Sequence, residues 1–187
     1  MFVSFNDGGD WQSLELNLPP VPITDLAIRQ GSLVAATQGR GFWIIDDLSV
    51  IRQLDEDLSD KPLHVYTPKP TELARWSTRA GANEGRNPKP GVSVSYVIAD
   101  EVEGPLSIEI RDSEGEFVRQ YSSEESDFER CVTGNMTPRL AYSFSYPSTD
   151  QGFNQWTWDM REQGLTCIDD IRLFAGFSGA TIVPGDY

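Results

Sequence analysis

Sixteen glycines and twelve prolines punctuate this 187-residue chain, and they leave little uninterrupted sequence in which a helix of ordinary length could form. The segments between them mostly alternate apolar and polar residues, a period of two that suits strands with one face on a core. The sequence therefore predicts an all-β protein. In the first part, strands are expected at residues 1–5, 12–16, 24–29, 32–37 and 42–46, each bounded by Gly, Pro, Asn or Asp. A helical turn is expected over 48–54. Residues 55–70, rich in charge and proline, read as a linker with a boundary near Pro68, and 75–90 as a long loop.

The second part opens on Val92, Val94, Tyr96 and Ile98, spaced by two. Leu106, Ile108 and Ile110 repeat the spacing. Asp112-Ser113-Glu114-Gly115 then turns the chain into a second strand over 117–121, which makes a hairpin. Further strands are expected at 141–146 and 153–159, with the acidic stretch 122–129 between the hairpin and the first of them. Strands at this spacing predict a small sandwich. Met1 begins inside a strand and Pro184-Gly185-Asp186-Tyr187 ends on a turn signal, so the sequence is expected to be truncated at both ends.

Composition excludes several functions. Fifteen basic against 29 acidic residues give a net charge of −14, which repels phosphate backbones and argues against a nucleic-acid partner. No apolar run approaches the roughly 18 residues of a spanning helix, so no membrane span is expected. His64 is the single histidine, which leaves almost no material for Ser-His-Asp catalysis or a multi-His metal site. No cofactor and no metal are expected. The sequence from Asp112 to Glu116 looks superficially like a calcium loop but lacks the later glutamate, and Asp169 with Asp170 is no stronger; a turn is the simpler reading of both. With 29 carboxylates, glycosidase-type pairs can always be imagined, but convergence in a cleft is not visible in a sequence.

Ser4-Phe5-Asn6-Asp7-Gly8-Gly9-Asp10-Trp11 resembles the Asp-box of bacterial neuraminidase repeats, S-x-D-x-G-x-T-W. Ser4, Gly8 and Trp11 match, while Asn6 replaces the Asp and Asp10 the Thr. In physical terms the box is a hairpin staple: a short polar side chain bonds nearby amides, glycine takes positive φ, and tryptophan packs beneath. The stretch from Val21 to Asp47 resembles the end of a bacterial propeller family with neuraminidase-type or sortilin-type repeats, often labelled glycosyl hydrolases. That family usually reads Thr-His-Gly-Arg where this chain has Thr37-Gln38-Gly39-Arg40. The stretch from Gly152 to Arg161 and the close from Ala180 to Tyr187 resemble the immunoglobulin-like domain that follows the propeller in the same family.

The resemblance implies a partial propeller blade over 1–54, a linker and loop over 55–90, and an immunoglobulin-like sandwich lacking its last strand over 91–187. It implies a periplasmic or extracellular protein whose partners are upstream blades and a glycan or protein ligand. Two functions follow from it: a non-catalytic scaffold or binding module, or part of a sialidase-like hydrolase with its catalytic residues upstream. No catalytic residue is assigned within the chain itself. Arg40 reads as a buried cation paired with Asp46 or Asp47, or as part of a binding face; Trp76, beside Arg75 and Arg79, reads as interdomain packing or as an exposed contact of such a face. Trp11, Trp43, Trp156 and Trp158 read as core packing in preference to sugar platforms. If the protein is exported, as the resemblance implies, Cys131 and Cys167 are placed to form one disulfide; two buried free thiols are the other reading.

Overall fold

The computed structural model describes residues 1–54, 61–73, 81, 85, 87–99, 103–135, 145–164, 166–168 and 178–187. The described residues are mostly β-strands in small antiparallel sheets, with two short helices. They fall into two units, Met1–Arg52 and Gln53–Tyr187.

The first unit opens with a two-stranded hairpin, β1 (Phe2–Val3) and β2 (Gln12–Ser13), closed by the 4–11 turn. A meander follows: β3 (Ile23–Arg29), β4 (Ser32–Thr37) and β5 (Phe42–Ile45), with β4 in the centre. β-Branched and aromatic residues fill these strands, as a pleated surface favours. Asp47 ends the meander by accepting the Ser49 amide at 2.8 Å, which caps the single turn of α1 (Ser49–Arg52). Buried apolar side chains in this unit are confined to Ala35 and Leu48 among the described residues.

The second unit has a sheet of β6 (Leu63–Val65), β7 (Val92–Ile98) and β10 (Gly152–Trp158), with β7 central. A hairpin of β8 (Ser107–Arg111) and β9 (Phe117–Ser122) accompanies it. Alternation sends Tyr96 and Ile98 of β7 and Trp156 and Trp158 of β10 to one face, where they form the core with Met160. Leu106, Ile108, Ile110, Val118 and Tyr121 of the hairpin region pack onto this core. Both core indoles are satisfied, Trp156 Nε1 donating to the Ser145 carbonyl at 2.9 Å and Trp158 Nε1 to the Arg161 carbonyl at 3.2 Å. Gly91 lies so close to β10 that a Cβ there would sit 2.1 Å from the Trp158 carbonyl oxygen, so no larger residue fits the start of β7.

Three expectations are corrected. Residues 55–70 are not all linker, because Leu63–Val65 pairs with β7, and Gln53 holds Thr67 through two amide hydrogen bonds of 2.9 Å. These contacts place the unit boundary after Arg52 and not near Pro68. The acidic stretch 122–129 leads into a helix, α2 (Asp127–Asn135). Ser126 and Glu129 form a reciprocal capping box at its start, each side chain accepting the other's backbone amide, at 3.2 and 2.7 Å. The strand expected at 141–146 falls largely outside the described residues, and Ser145 and Tyr146 are not in a strand.

Candidate functional site

Ser4, Asn6, Gly8 and Trp11 come together in one turn. Ser4 Oγ accepts the Gly8 amide at 2.7 Å, and Asn6 Oδ1 accepts the Asp10 amide at 2.8 Å. Gly8 has φ +91 and Trp11 crosses beneath it, its indole N–H bonded to the Gly8 carbonyl at 3.2 Å. Asn6 Nδ2 also donates to Asp10 Oδ2 at 2.9 Å. The two departures from the box pattern therefore complement each other: an amide at position 6 gives a carboxylate at position 10 a donor that a second carboxylate would lack. Trp11 closes the turn but remains 62% exposed, so it is not core packing.

The β3–β5 sheet is apolar on both faces. On one, the cross-strand rows are Leu26–Ala35–Trp43 and Ile28–Leu33–Ile45. On the other, the central row is Ala27–Val34–Ile44, flanked by Asp25–Ala36–Phe42 and by Arg29–Ser32. An antiparallel sheet with one wet face alternates apolar and polar residues, and apolarity on both faces marks a sheet made to be covered twice. The first face is partly covered by the segment around Leu16 and Leu18, where Ala35 and Trp43 help enclose a cavity of about 30 Å³. That volume holds roughly one water, far below the several hundred Å³ of a small-molecule pocket. The second face is open, with Ile44 55% and Phe42 75% exposed, and the β3 edge of the first is open too, with Leu26 50% and Ile28 59% exposed.

Arg40 is exposed and makes no ion pair with Asp46 or Asp47 among the described residues, which corrects the expectation of a buried cation. Its carbonyl serves instead as acceptor for the Trp43 indole at 3.2 Å. Trp76 lies outside the described residues, as do Asp169 and Asp170. Trp156 and Trp158 are buried, as read from the sequence, and Trp43 is half-buried.

Asp112 is a turn residue: its Oδ1 accepts the amides of Glu114 and Glu116, both at 2.9 Å. No cluster of three or more His, Cys, Asp or Glu side chains suited to a metal occurs among the described residues. At the end of β10, Asp159 accepts from the Tyr121 hydroxyl at 3.0 Å and pairs with Arg119, whose guanidinium lies over the Tyr121 ring. These contacts fasten the β8–β9 hairpin to the sheet. Burial raises the pKa of Tyr96, and the nearby Asp150 carboxylate raises it further; its hydroxyl donates to the Ser148 carbonyl at 2.7 Å. Burial also raises that of Tyr66.

Cys131 and Cys167 form a disulfide, with Cα atoms 6.0 Å apart. Among the described residues no helix is long and apolar enough to cross a membrane. Comparison of the chain with protein-family models, curated proteins and solved structures finds no match. The sequence pointed to a tight turn over 4–11, but the Asn6–Asp10 pair becomes visible only when both residues are considered together. It also missed the doubly apolar sheet, although the mixed pattern of 25–29 and 42–45 was the available signal.

Proposed function

We propose that this chain is a non-catalytic module of an exported β-rich protein, acting as a scaffold or as a protein- or glycan-binding surface. In this reading the first unit is a layer of a β-propeller and the second an immunoglobulin-like sandwich. The observation that carries it is the β3–β5 sheet, apolar on both faces and nearly without a core of its own. Such a layer becomes stable between neighbours, as a propeller blade does between adjacent blades. The Asp-box turn supports the same reading, and the partners are then further blades of a parent chain. The disulfide supports export, because oxidising compartments are where such bonds persist.

The catalytic alternative needs a nucleophile or carboxylate pair lining a cleft. Purified chain is therefore expected to show no turnover of aryl sialosides or other aryl glycosides. Turnover that disappears on replacing one carboxylate overturns the non-catalytic reading.

A further inference from the structure

We propose that Trp11 and Phe2, on one face of the β1–β2 hairpin, form a stacking platform for the pyranose rings of a neutral glycan. The inference rests on the binding-surface reading above and names the class of ligand.

Phe2 stands opposite Ser13 and Val3 opposite Gln12. Side chains alternate across a strand, so Trp11, two residues before Ser13, shares the face of Phe2. Both rings are 62% exposed. The indole is nevertheless fixed: its Nε1 donates to the Gly8 carbonyl at 3.2 Å, and a Cβ on Gly8 would lie 3.7 Å from its Cζ2. One side of the ring is thus held against the turn while the rest is left to solvent. A ring already held in place loses little freedom when a ligand lands on it.

The face of an aromatic ring carries partial negative charge and attracts the weakly positive C–H groups of a sugar, whose hydroxyls then need polar partners at the rim. The same turn supplies them. Asp7, held at φ +54, has an exposed carboxylate, and Asp10 uses Oδ2 for Asn6 Nδ2 and keeps Oδ1 as an acceptor.

Size separates a sugar from a protein partner. At 62% exposure the two rings present on the order of 250 Å², about a third of the ~800 Å² that one side of a standard protein interface buries. That area suits one or two pyranose rings. Charge then selects among sugars, because a net charge of −14 repels sialylated, uronic and sulfated chains and leaves neutral ones.

The full chain is titrated with the neutral hexasaccharides of cellulose, xylan, mannan, amylose and chitin, followed by calorimetry and indole fluorescence. At least one should bind with a dissociation constant of about 0.1–1 mM, as two stacked rings allow. Trp11→Ala should weaken binding at least about tenfold and Phe2→Ala about threefold, whereas Trp11→Tyr, which keeps a flat ring, should stay within about threefold. Phe2 takes no part in the hydrogen bonds of the turn, so its variant still decides the matter if Trp11→Ala loosens the hairpin. Phe42→Ala, in another sheet, should leave affinity unchanged. No binding of any of these sugars at about 10 mM overturns the proposal. So does binding indifferent to both Trp11 and Phe2, or tighter binding of a sialylated hexasaccharide. Burial of Trp11 in a protein oligomer, seen as loss of acrylamide quenching at high concentration, overturns it too. Absent binding without turnover defeats only the glycan platform, whereas hydrolysis of a bound oligosaccharide defeats the non-catalytic reading.

Discussion

The two units are built from the same kind of short antiparallel strand yet hold together by different means. In Gln53–Tyr187, alternation sends Tyr96, Ile98, Trp156 and Trp158 to one face, and a hairpin covers that face. In Met1–Arg52, the strands pair in good register but their large side chains go to both faces, and the unit as a whole leaves eight large hydrophobic residues exposed against two buried apolar ones. Backbone pairing alone stabilises little, because each hydrogen bond replaces one to water. The difference teaches that a sheet's register can be fully specified by a sequence whose core has to come from elsewhere.

The sharpest way to break that comparison is to cut matched aromatics. Trp156→Ala should cost about 3–5 kcal/mol of stability in chemical denaturation, whereas Phe42→Ala, on the open face, should cost under about 0.5 kcal/mol in dilute solution. Equal losses would mean that the first unit has a core of its own. Next in size is the disulfide. Replacing Cys131 and Cys167 by Ala removes a cross-link spanning 36 positions and is expected to cost about 3–4 kcal/mol in the second unit, leaving β3–β5 unchanged in amide exchange.

Alkaline titration distinguishes the units through their tyrosines. Tyr66 and Tyr96 lie in the second unit, and burial raises both above the ordinary phenol value of about 10. A raised folded-state pKa means that the native state holds the proton more tightly than the unfolded chain. The stabilisation is therefore fully present below about pH 10 and is lost as pH rises through the folded values. Near-ultraviolet circular dichroism should show the second unit loosening only above that pH, and Tyr96→Phe should blunt the transition.

The smallest effect concerns the turn. Asn6→Asp should destabilise the hairpin by about 1 kcal/mol, because it sets a carboxylate against Asp10. Adding Asp10→Thr should recover the loss. Stabilisation by the single change would show that the Asn6–Asp10 bond has no part in holding the turn.

What the sequence made legible follows from how local each signal is. Strands over 32–37 and 92–98 were readable because β-branched and alternating runs ended on clear breakers. The β8–β9 hairpin was readable from Asp112 to Gly115 for the same reason. β6 was hidden because three residues amid charge and proline carry no period, and it becomes a strand only through its pairing with β7. The helix α2 was legible in principle. Ser126-Asp127-Phe128-Glu129 is a capping-box pattern, although the acidic run around it carries no apolar period. Of the candidate site, the 4–11 turn could be read residue by residue. The exposure of Trp11 and the missing ion pair of Arg40 could not, because burial depends on what packs above a strand and not on the strand itself.

Amide hydrogen exchange of the whole chain at micromolar concentration tests the central claim most directly. Protection in β7 and β10 should approach that of global unfolding, while β3, β4 and β5 should exchange orders of magnitude faster, as a sheet without its covering layers does. Protection of β4 equal to that of β7 would contradict the account, for it would show that the first unit is stable alone.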